Sequence, residues 1–436
     1  MANALTAAFR KKVEEAVRIH QQGHLAEAEV LYGALLEAEP RCADALHFLG
    51  LLKYQRADMD AAERLMRAAL AIEPGYADAH SNLGNVLKHQ KRFAEAQRAY
   101  ETALALCPHH ANAANNLGTV FHALGKLKEA WEMYERAIAC NPRHADAYVN
   151  RGNLLKRQDK INEAIDSYLQ ALAVGQFPAD AYWNLGFSLY GVGRVAEAAG
   201  VFRKWIAIDP ESPVAQHMLA ACSGENVPPR ASDAYIRETF GRFADSFDAV
   251  LGELNYRAPE LVVASIAAAC GAPAAAFDVL DAGCGTGLCG ALLRPHARRL
   301  VGVDLSPAMI GKATERHVYD ELVVAELSAY LLSCPRGFDL IASADTLVYF
   351  GELHEVLHAA ATALRPKGRF VFTLEHAAAD TGTGFQIRPH GRYSHSEPYV
   401  RGALAAAGLI LEQVSASTLR KENGAPVDGL VVRARR

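Results

Sequence analysis

Along the first half of the chain, small, apolar and aromatic residues return at one fixed spacing. Asp44-Ala45, Asp78-Ala79, Asn112-Ala113, Asp146-Ala147 and Asp180-Ala181 recur every 34 residues. Leu49-Gly50, Leu83-Gly84, Leu117-Gly118, Arg151-Gly152 and Leu185-Gly186 keep the same phase. So do Ala62, Ala96, Ala130, Ala164 and Ala198, then Met66, Tyr100, Tyr134, Tyr168 and Phe202, then Pro74, Pro108, Pro142 and Pro210. Ala28, Tyr32 and Pro40 mark an earlier copy. Each copy predicts two helices, the second stopped by its proline. The glycine and the alanine let those helices cross closely, and the aromatic is expected to fill the gap to the next copy. One pair cannot bury its apolar face alone, so the copies must stack. Six copies fit from about Phe9 to about Ser212, and "PVAQHMLAAC" reads as a capping helix.

The pattern breaks at "SGENVPPRASDA", which reads as a linker. The chain then divides into a repeat array over 1–222, a linker over 223–234 and a second domain over 235–436. A helical stretch leads that domain. Strands follow at "FDVLDA", "RLVGVD", "ELVVAE", "FDLIASAD" and "RFVFTLE", with helices between them. Strand–helix alternation predicts an α/β domain with a mostly parallel, doubly wound sheet. The tail differs, because "GLILEQVSASTLRKE" and "DGLVVRARR" read as two strands joined at the Asn423-Gly424 turn. That predicts an antiparallel C-terminal hairpin.

Bulk composition narrows the picture only a little. The 436 residues are 51% hydrophobic and 22% charged, with a formal net charge of −4, which gives no electrostatic reason to expect nucleic acid or an anionic membrane. No signal or transit segment is read at the N-terminus, and no apolar stretch is long enough for a membrane span. The eight cysteines include no CxxC pair and read as reduced thiols of a cytoplasmic protein, with no metal site.

The chemistry gathers at "FDVLDAGCGTG", Phe277 to Gly287, where three glycines follow a strand at alternate positions. A second register overlaps it, since Gly285, Gly287 and Gly290 also fit the GxGxxG dinucleotide fingerprint. Both readings let backbone approach a ligand, and both use Asp304, ending the second strand, on ribose hydroxyls. Asp281 separates them. An acid directly before the loop suits a cationic amino group and sits badly beside a pyrophosphate. The terminal hairpin also departs from a dinucleotide-binding half.

A 34-residue period with these marks identifies tetratricopeptide repeats. The segments around Asn82 and Asn116 resemble the repeats of O-linked N-acetylglucosamine transferases, in which inner-face asparagines hold an extended peptide. The resemblance implies a protein or peptide partner held by Asn82, Asn116, Asn150 and Asn184; the alternative is that these amides only stabilise helix pairs. Further on, "VLDAGCGTG", "VGVDLSPAMI", "FDLIASADTLVYF" and "LRPKGRFVF" resemble the successive motifs of class I S-adenosylmethionine-dependent methyltransferases. "FADSFD", "ELNYRAPEL" and "GRYSHSE" resemble a bacterial group of predicted methyltransferases that carry such repeats. The methyltransferases of ubiquinone and biotin synthesis are also similar.

The resemblance implies S-adenosyl-L-methionine, with Gly283, Gly285 and Gly287 at its methionine and ribose parts and Asp281 at its amino group. Asp304 would take the ribose and Leu305 the adenine. Glu326 and Leu327 match the adenine-amino position, though Glu326 is longer than the usual aspartate. Phe243 replaces a common tyrosine, and Ala344 would close the site under the sulfonium. Asp345, Tyr349, His376, Tyr393 and His395 fall where an acceptor pocket should lie, with His395 preferred as base or substrate contact. Three functions follow. The first is a methyltransferase whose repeats recruit a protein. The second is a small-molecule methyltransferase docked into an assembly, and the third a repeat scaffold with a vestigial catalytic domain.

Overall fold

The structure, a computed structural model, describes residues 7–175, 179–377, 382–422 and 424–436, so Asn423 of the expected turn lies outside it. The chain divides into two compact units, Met1–Ser188 and Leu189–Arg436.

The first unit is a run of helices, paired as the period predicts. They are α1 (Ala7–Gln21), α2 (Leu25–Ala38), α3 (Ala43–Gln55), α4 (Met59–Ile72), α5 (Ala77–His89) and α6 (Phe93–Leu106). Then come α7 (Ala111–Ala123), α8 (Leu127–Cys140), α9 (Ala145–Arg157), α10 (Ile161–Ala173) and α11 (Ala179–Gly191), in which the unit boundary falls. Ala62, Ala96, Ala130, Ala164, Met66, Tyr100, Tyr134 and Tyr168 are all fully buried. Each large side chain so buried contributes about 1.5–3 kcal/mol. The glycines explain themselves. A Cβ on Gly84 would lie 2.6 Å from Tyr100 Cε1, and one on Gly118 2.6 Å from Tyr134 Cε1. Each aromatic therefore lies on the glycine of its own copy. Its hydroxyl turns back to the same copy, as Tyr100 donates to Asn85 Oδ1 at 2.7 Å and Tyr168 to Asn153 Oδ1 at 2.8 Å. The second helices stop where a following proline bars the helical region, with Glu73 at φ −128° and Asn141 at φ −140°.

The second unit opens with α12 (Val195–Ile208) and the expected cap, α13 (Pro213–Ser223). Ser212 Oγ accepts from Ala215 N at 3.3 Å to start α13, and Gly224, at φ +73°, ends it. The segment read as a linker is laid along the sheet domain. Pro229 O accepts from Gly351 N at 2.8 Å, Ala231 N donates to Tyr349 O at 2.8 Å, and Tyr393 Oη donates to Pro228 O at 2.7 Å.

Helices α14 (Asp233–Phe243), α15 (Phe247–Glu253) and α16 (Ala258–Cys270) precede the sheet. Then follow β1 (Phe277–Ala282), α17 (Leu288–Leu293), β2 (Ala297–Asp304), α18 (Pro307–Glu315), β3 (Glu321–Val324), α19 (Leu327–Ser333) and β4 (Phe338–Ser343). The chain ends with α20 (His354–Ala363), β5 (Leu364–His376), β6 (Phe385–Ile387), β7 (Tyr393–His395), α21 (Glu397–Ala406), β8 (Ile410–Glu422) and β9 (Ala425–Arg435). Strands β3-β2-β1-β4-β5 are neighbours in that order and parallel. β9 runs antiparallel along β5 and pairs with β8, giving the expected hairpin. β4 pairs with β5 only as far as Phe372, and β7 pairs with it beyond, at Glu375 and His376. That short β6–β7 hairpin occupies sequence read as loop. Alternate strand residues feed two cores: Val279, Leu340 and Val371 face α16 and α17, while Leu280, Ile341 and Phe372 face α19, α20 and α21.

Candidate active site

The three loop glycines hold left-handed backbone, at φ +76°, +53° and +89° for Gly283, Gly285 and Gly287, a region costly for other residues. Their surroundings differ. A Cβ on Gly283 would collide with the Thr346 side chain, and one on Gly287 would sit 3.0 Å from Arg316 Cδ. One on Gly285 would meet only Phe247 Cε1, at 3.9 Å, so this glycine faces open space. Gly290 has a different task from the one the GxGxxG register assigns. With Gly287 and Gly302 it makes the seat of Tyr319, whose hydroxyl would collide with any Cβ at Gly290.

Tyr319 Oη donates to Asp281 Oδ2 at 2.7 Å. Asp281 is 1% exposed, and its Oδ1 has no hydrogen-bond partner among the described residues. Burial pushes its pKa up to about 7, against the pull of the Tyr319 hydrogen bond and with help from Asp304. A buried carboxylate oxygen without a donor, beside an open glycine, fits a ligand that brings its own cationic donor. Asp304 ties the loop down, accepting from Gly285 N at 2.9 Å and Ser306 N at 2.8 Å. Each of its oxygens keeps a lone pair for a hydroxyl. A latch crosses the loop: Thr286 Oγ1 donates to Asp248 Oδ1 at 2.5 Å, and Arg316 pairs with Asp248.

Several expected donor contacts lie elsewhere. Glu326 caps α19, accepting from Ser328 N at 3.1 Å and Ala329 N at 2.7 Å, because its longer chain folds back onto the helix start. Leu327 is buried in the core beside it. Phe243 is 40% exposed, and the aromatic that faces Gly285 is Phe247 instead. Leu305 is half-buried directly after Asp304, and Ala344 is half-buried at the end of β4.

Beside the loop lies a cluster of charges that the sequence reading caught only at Asp345. Arg420, 3% exposed, pairs with Asp345 and Glu375 and donates through Nε to Glu422 Oε1 at 2.7 Å. Arg392 Nε donates to Glu375 Oε1 at 2.6 Å, and Arg392 also pairs with Glu422. His390 Nε2 lies 3.3 Å from Glu375 Oε2. Burial opposes the charge of Glu375, but His390, Arg392 and Arg420 hold it well below the usual carboxylate range. Asp345 goes the other way: burial and Glu375 push it up against the pull of Arg420. Its backbone is left-handed, at φ +54°, and fixed by its N–H donating to Thr373 Oγ1 at 2.8 Å. Tyr256, from "ELNYRAPEL", is half-buried within electrostatic reach of Asp345, Arg420 and Asp281, and burial pushes its hydroxyl far up. Tyr349 is half-buried and meets Phe240 edge-on at 5.4 Å.

His395 has another role than the one expected. It is fully buried, 3.0 Å through Nε2 from Gly351 O and stacked on Tyr399 at 5.9 Å, and burial pushes its pKa down to about 4. Short β7 carries it among Phe385 and Tyr399, and its buried Nδ1 has no hydrogen-bond partner among the described residues. Tyr393 is fully buried too. His376 follows Glu375 on β5 and so points to the opposite face from the charge cluster.

On the repeats, Asn116 Nδ2 donates to Asn85 Oδ1 and Asn150 Nδ2 to Asn115 Oδ1, both at 2.9 Å. Asn82 Nδ2 lies 2.8 Å from His47 Nε2. One amide N–H of each is thus engaged between neighbouring copies, and the second stays available. Asn184, on α11, is half-buried.

A parallel sheet in this order, closed by an antiparallel hairpin and carrying a glycine loop between two acids, defines a Rossmann-like methyltransferase domain. The comparisons agree. A methyltransferase-domain family profile matches residues 279–368, and tetratricopeptide-repeat profiles match 75–143 and 21–77, 49–96 and 149–213. Malonyl-[acyl-carrier protein] O-methyltransferase of Enterobacter lignolyticus is 30% identical over 184 residues, 42% of this chain and 68% of that protein. Human methyltransferase-like protein 27 is 38% identical over 104 residues, 23% of this chain and 42% of that protein. Ubiquinone biosynthesis O-methyltransferase of Xylella fastidiosa strain 9a5c is 31% identical over 160 residues, 33% of this chain and 65% of that protein. The last two are thus matched over less than two thirds of their length. The chain belongs to the class I methyltransferases and carries tetratricopeptide repeats in its N-terminal half. Among solved structures, Pseudomonas aeruginosa PilF is 23% identical with a TM-score of 0.42, covering 49% of this chain and 97% of that one. The pilus biogenesis factor PilW is 19% identical with a TM-score of 0.45, covering 49% and 99%. Both likenesses are too loose to assign anything further. Among the described residues no helix is long and apolar enough to cross a membrane, and no group of three or more His, Cys, Asp or Glu side chains is placed to hold a metal ion.

Proposed function

We propose that the protein transfers a methyl group from S-adenosyl-L-methionine to an oxygen of its acceptor, and that its repeats recruit the partner bearing or delivering that acceptor. The observation that carries the donor assignment is the partnerless Oδ1 of buried Asp281 beside the open face of Gly285. Asp281 takes the donor's ammonium and Asp304 its ribose hydroxyls, while the left-handed glycines bring backbone close to both. The sulfonium supplies an activated methyl group, so alignment provides much of the rate. Asp345, just after β4 and raised by burial, is the group to accept a proton from a hydroxyl acceptor, and Arg420 holds it in place. Two of the relatives are named O-methyltransferases, which favours an oxygen acceptor here.

Calorimetry with S-adenosylmethionine and with NAD tests the donor. Saturable binding of the first alone is expected, and failure of S-adenosylmethionine to bind refutes the reading. Radiolabelled methyl transfer into a cell lysate, split into protein and small-molecule fractions, then identifies the acceptor class.

A further inference from the structure

A cavity of about 420 Å³ opens on the first helices of the central repeats, within the first unit. Its lining includes Asp78, Asn112, Asp146 and three histidines, and contains neither lysine nor arginine. Lys88 is turned to Thr119 Oγ1 at 3.3 Å and Asn116 Oδ1 at 3.5 Å, outside that lining.

His110 Nδ1 accepts from Ala113 N at 3.2 Å, so in the neutral ring the proton sits on Nε2, which lies 3.0 Å from Asp78 Oδ1. That contact is at ion-pair distance only, since His110 Nε2 makes no hydrogen bond, so neither oxygen of Asp78 has a hydrogen-bond donor among the described residues. Asp146, two repeats on, is exposed and has no ion-pair partner among them. His144, nine-tenths buried in the same wall, has an Nε2 that finds no hydrogen-bond partner. Burial pushes both His144 and His47 down, against the pull of neighbouring aspartates. The lining therefore holds two carboxyl groups and no lysine or arginine to pair with them.

We infer that this cavity binds an extended basic peptide, seating arginine or lysine side chains of the recruited partner against Asp78 and Asp146. This rests on the recruiting role proposed for the repeats and names the chemistry that the partner must bring. Asn115 and Asn116 line the same cavity, tied to neighbouring copies through Asn150 and Asn85.

The test uses the full chain and three fluorescent peptides in anisotropy titrations: Gly-Arg-Gly-Ser-Gly-Arg-Gly, the same peptide with citrulline for arginine, and the same with glutamate. Arginine and citrulline are nearly isosteric and differ in charge. The arginine peptide should bind at least about tenfold more tightly than the citrulline one, and the glutamate peptide should not bind. Asp78→Asn with Asp146→Asn should erase that preference while leaving thermal unfolding unchanged. Equal binding of the arginine and citrulline peptides, or a preference that survives the double substitution, overturns the inference. So does failure of all three to bind. S-adenosylmethionine calorimetry on the same samples keeps the two readings apart: donor binding without arginine preference removes the cavity alone, and arginine preference without donor binding removes the donor site alone.

Discussion

Between pH 5 and pH 7 the affinity for S-adenosylmethionine should rise about 50-fold, an effect of about 2.3 kcal/mol. The figure comes from Asp281, whose pKa of about 7 in the free protein leaves half of it ionised at pH 7 and about one part in a hundred at pH 5. The proposed ammonium contact requires the ionised form at every pH, so binding at pH 5 must first remove a proton. The other groups around it are Tyr319, Asp304 and the buried thiols Cys284 and Cys289. Burial raises all four, keeping the tyrosine and thiols uncharged, while Asp304 reinforces the same trend. Above about pH 8 the donor's own α-amino group deprotonates and affinity should fall again. The free protein shows the opposite sign. A carboxyl raised from 3.8 to about 7 stabilises the fold when protonated, and this contribution is lost as pH climbs through that window, by about 4 kcal/mol. Asp281→Asn should therefore raise the unfolding temperature above pH 7, while weakening donor binding and removing much of its pH slope. Calorimetry at several pH values, in buffers of different ionisation enthalpy, would also count the protons released. A flat affinity between pH 5.5 and 7.5, or an Asp281→Asn variant that keeps the full slope, would refute the reasoning.

Two substitutions in the glycine loop should part company. Gly285→Ala meets no close neighbour and should cost only the left-handed strain, about 1–2 kcal/mol, while cutting donor affinity about tenfold or more, whereas Gly283→Ala adds a collision with Thr346 and should lower the melting temperature much further. Arg420→Met should leave Asp345, Glu375 and Glu422 short of a buried counter-charge and cost about 3–5 kcal/mol, read from denaturant unfolding at pH 7.5; unchanged stability would mean that the cluster is not a unit.

What the sequence made legible follows the range of each interaction. The repeats were readable because one geometry is repeated, so Gly84 and Tyr100 announce themselves again as Gly118 and Tyr134. The glycine loop and its acids were readable because they lie close together along one strand–loop–strand run. Tyr319 was hidden, since its place against Asp281 depends on three glycines from two elements. Gly302, in mid-strand, was the available signal that something bulky lay against it. The charge cluster was hidden for a related reason. Asp345, Glu375, His390, Arg392, Arg420 and Glu422 come from distant segments, and only the sheet brings them together. The burial of His395 was hidden because it depends on Phe385 and Gly351 from other segments as well as on nearby Tyr399.

The capping helix α13 bears on how such a protein can be taken apart. His217 Nε2 lies 2.8 Å from Gly391 O, and a Cβ on Gly391 would meet Tyr235 Oη at 2.8 Å. The turn so gripped carries His390 and Arg392 into the charge cluster. By ancestry the helix belongs to the repeats, but by contacts it is a wall of the enzyme. A gene cut at the last repeat, where the period invites it, would yield a catalytic fragment missing a buttress, and its inactivity would be misread as dependence on a partner. The workable seam lies earlier, inside the sixth repeat.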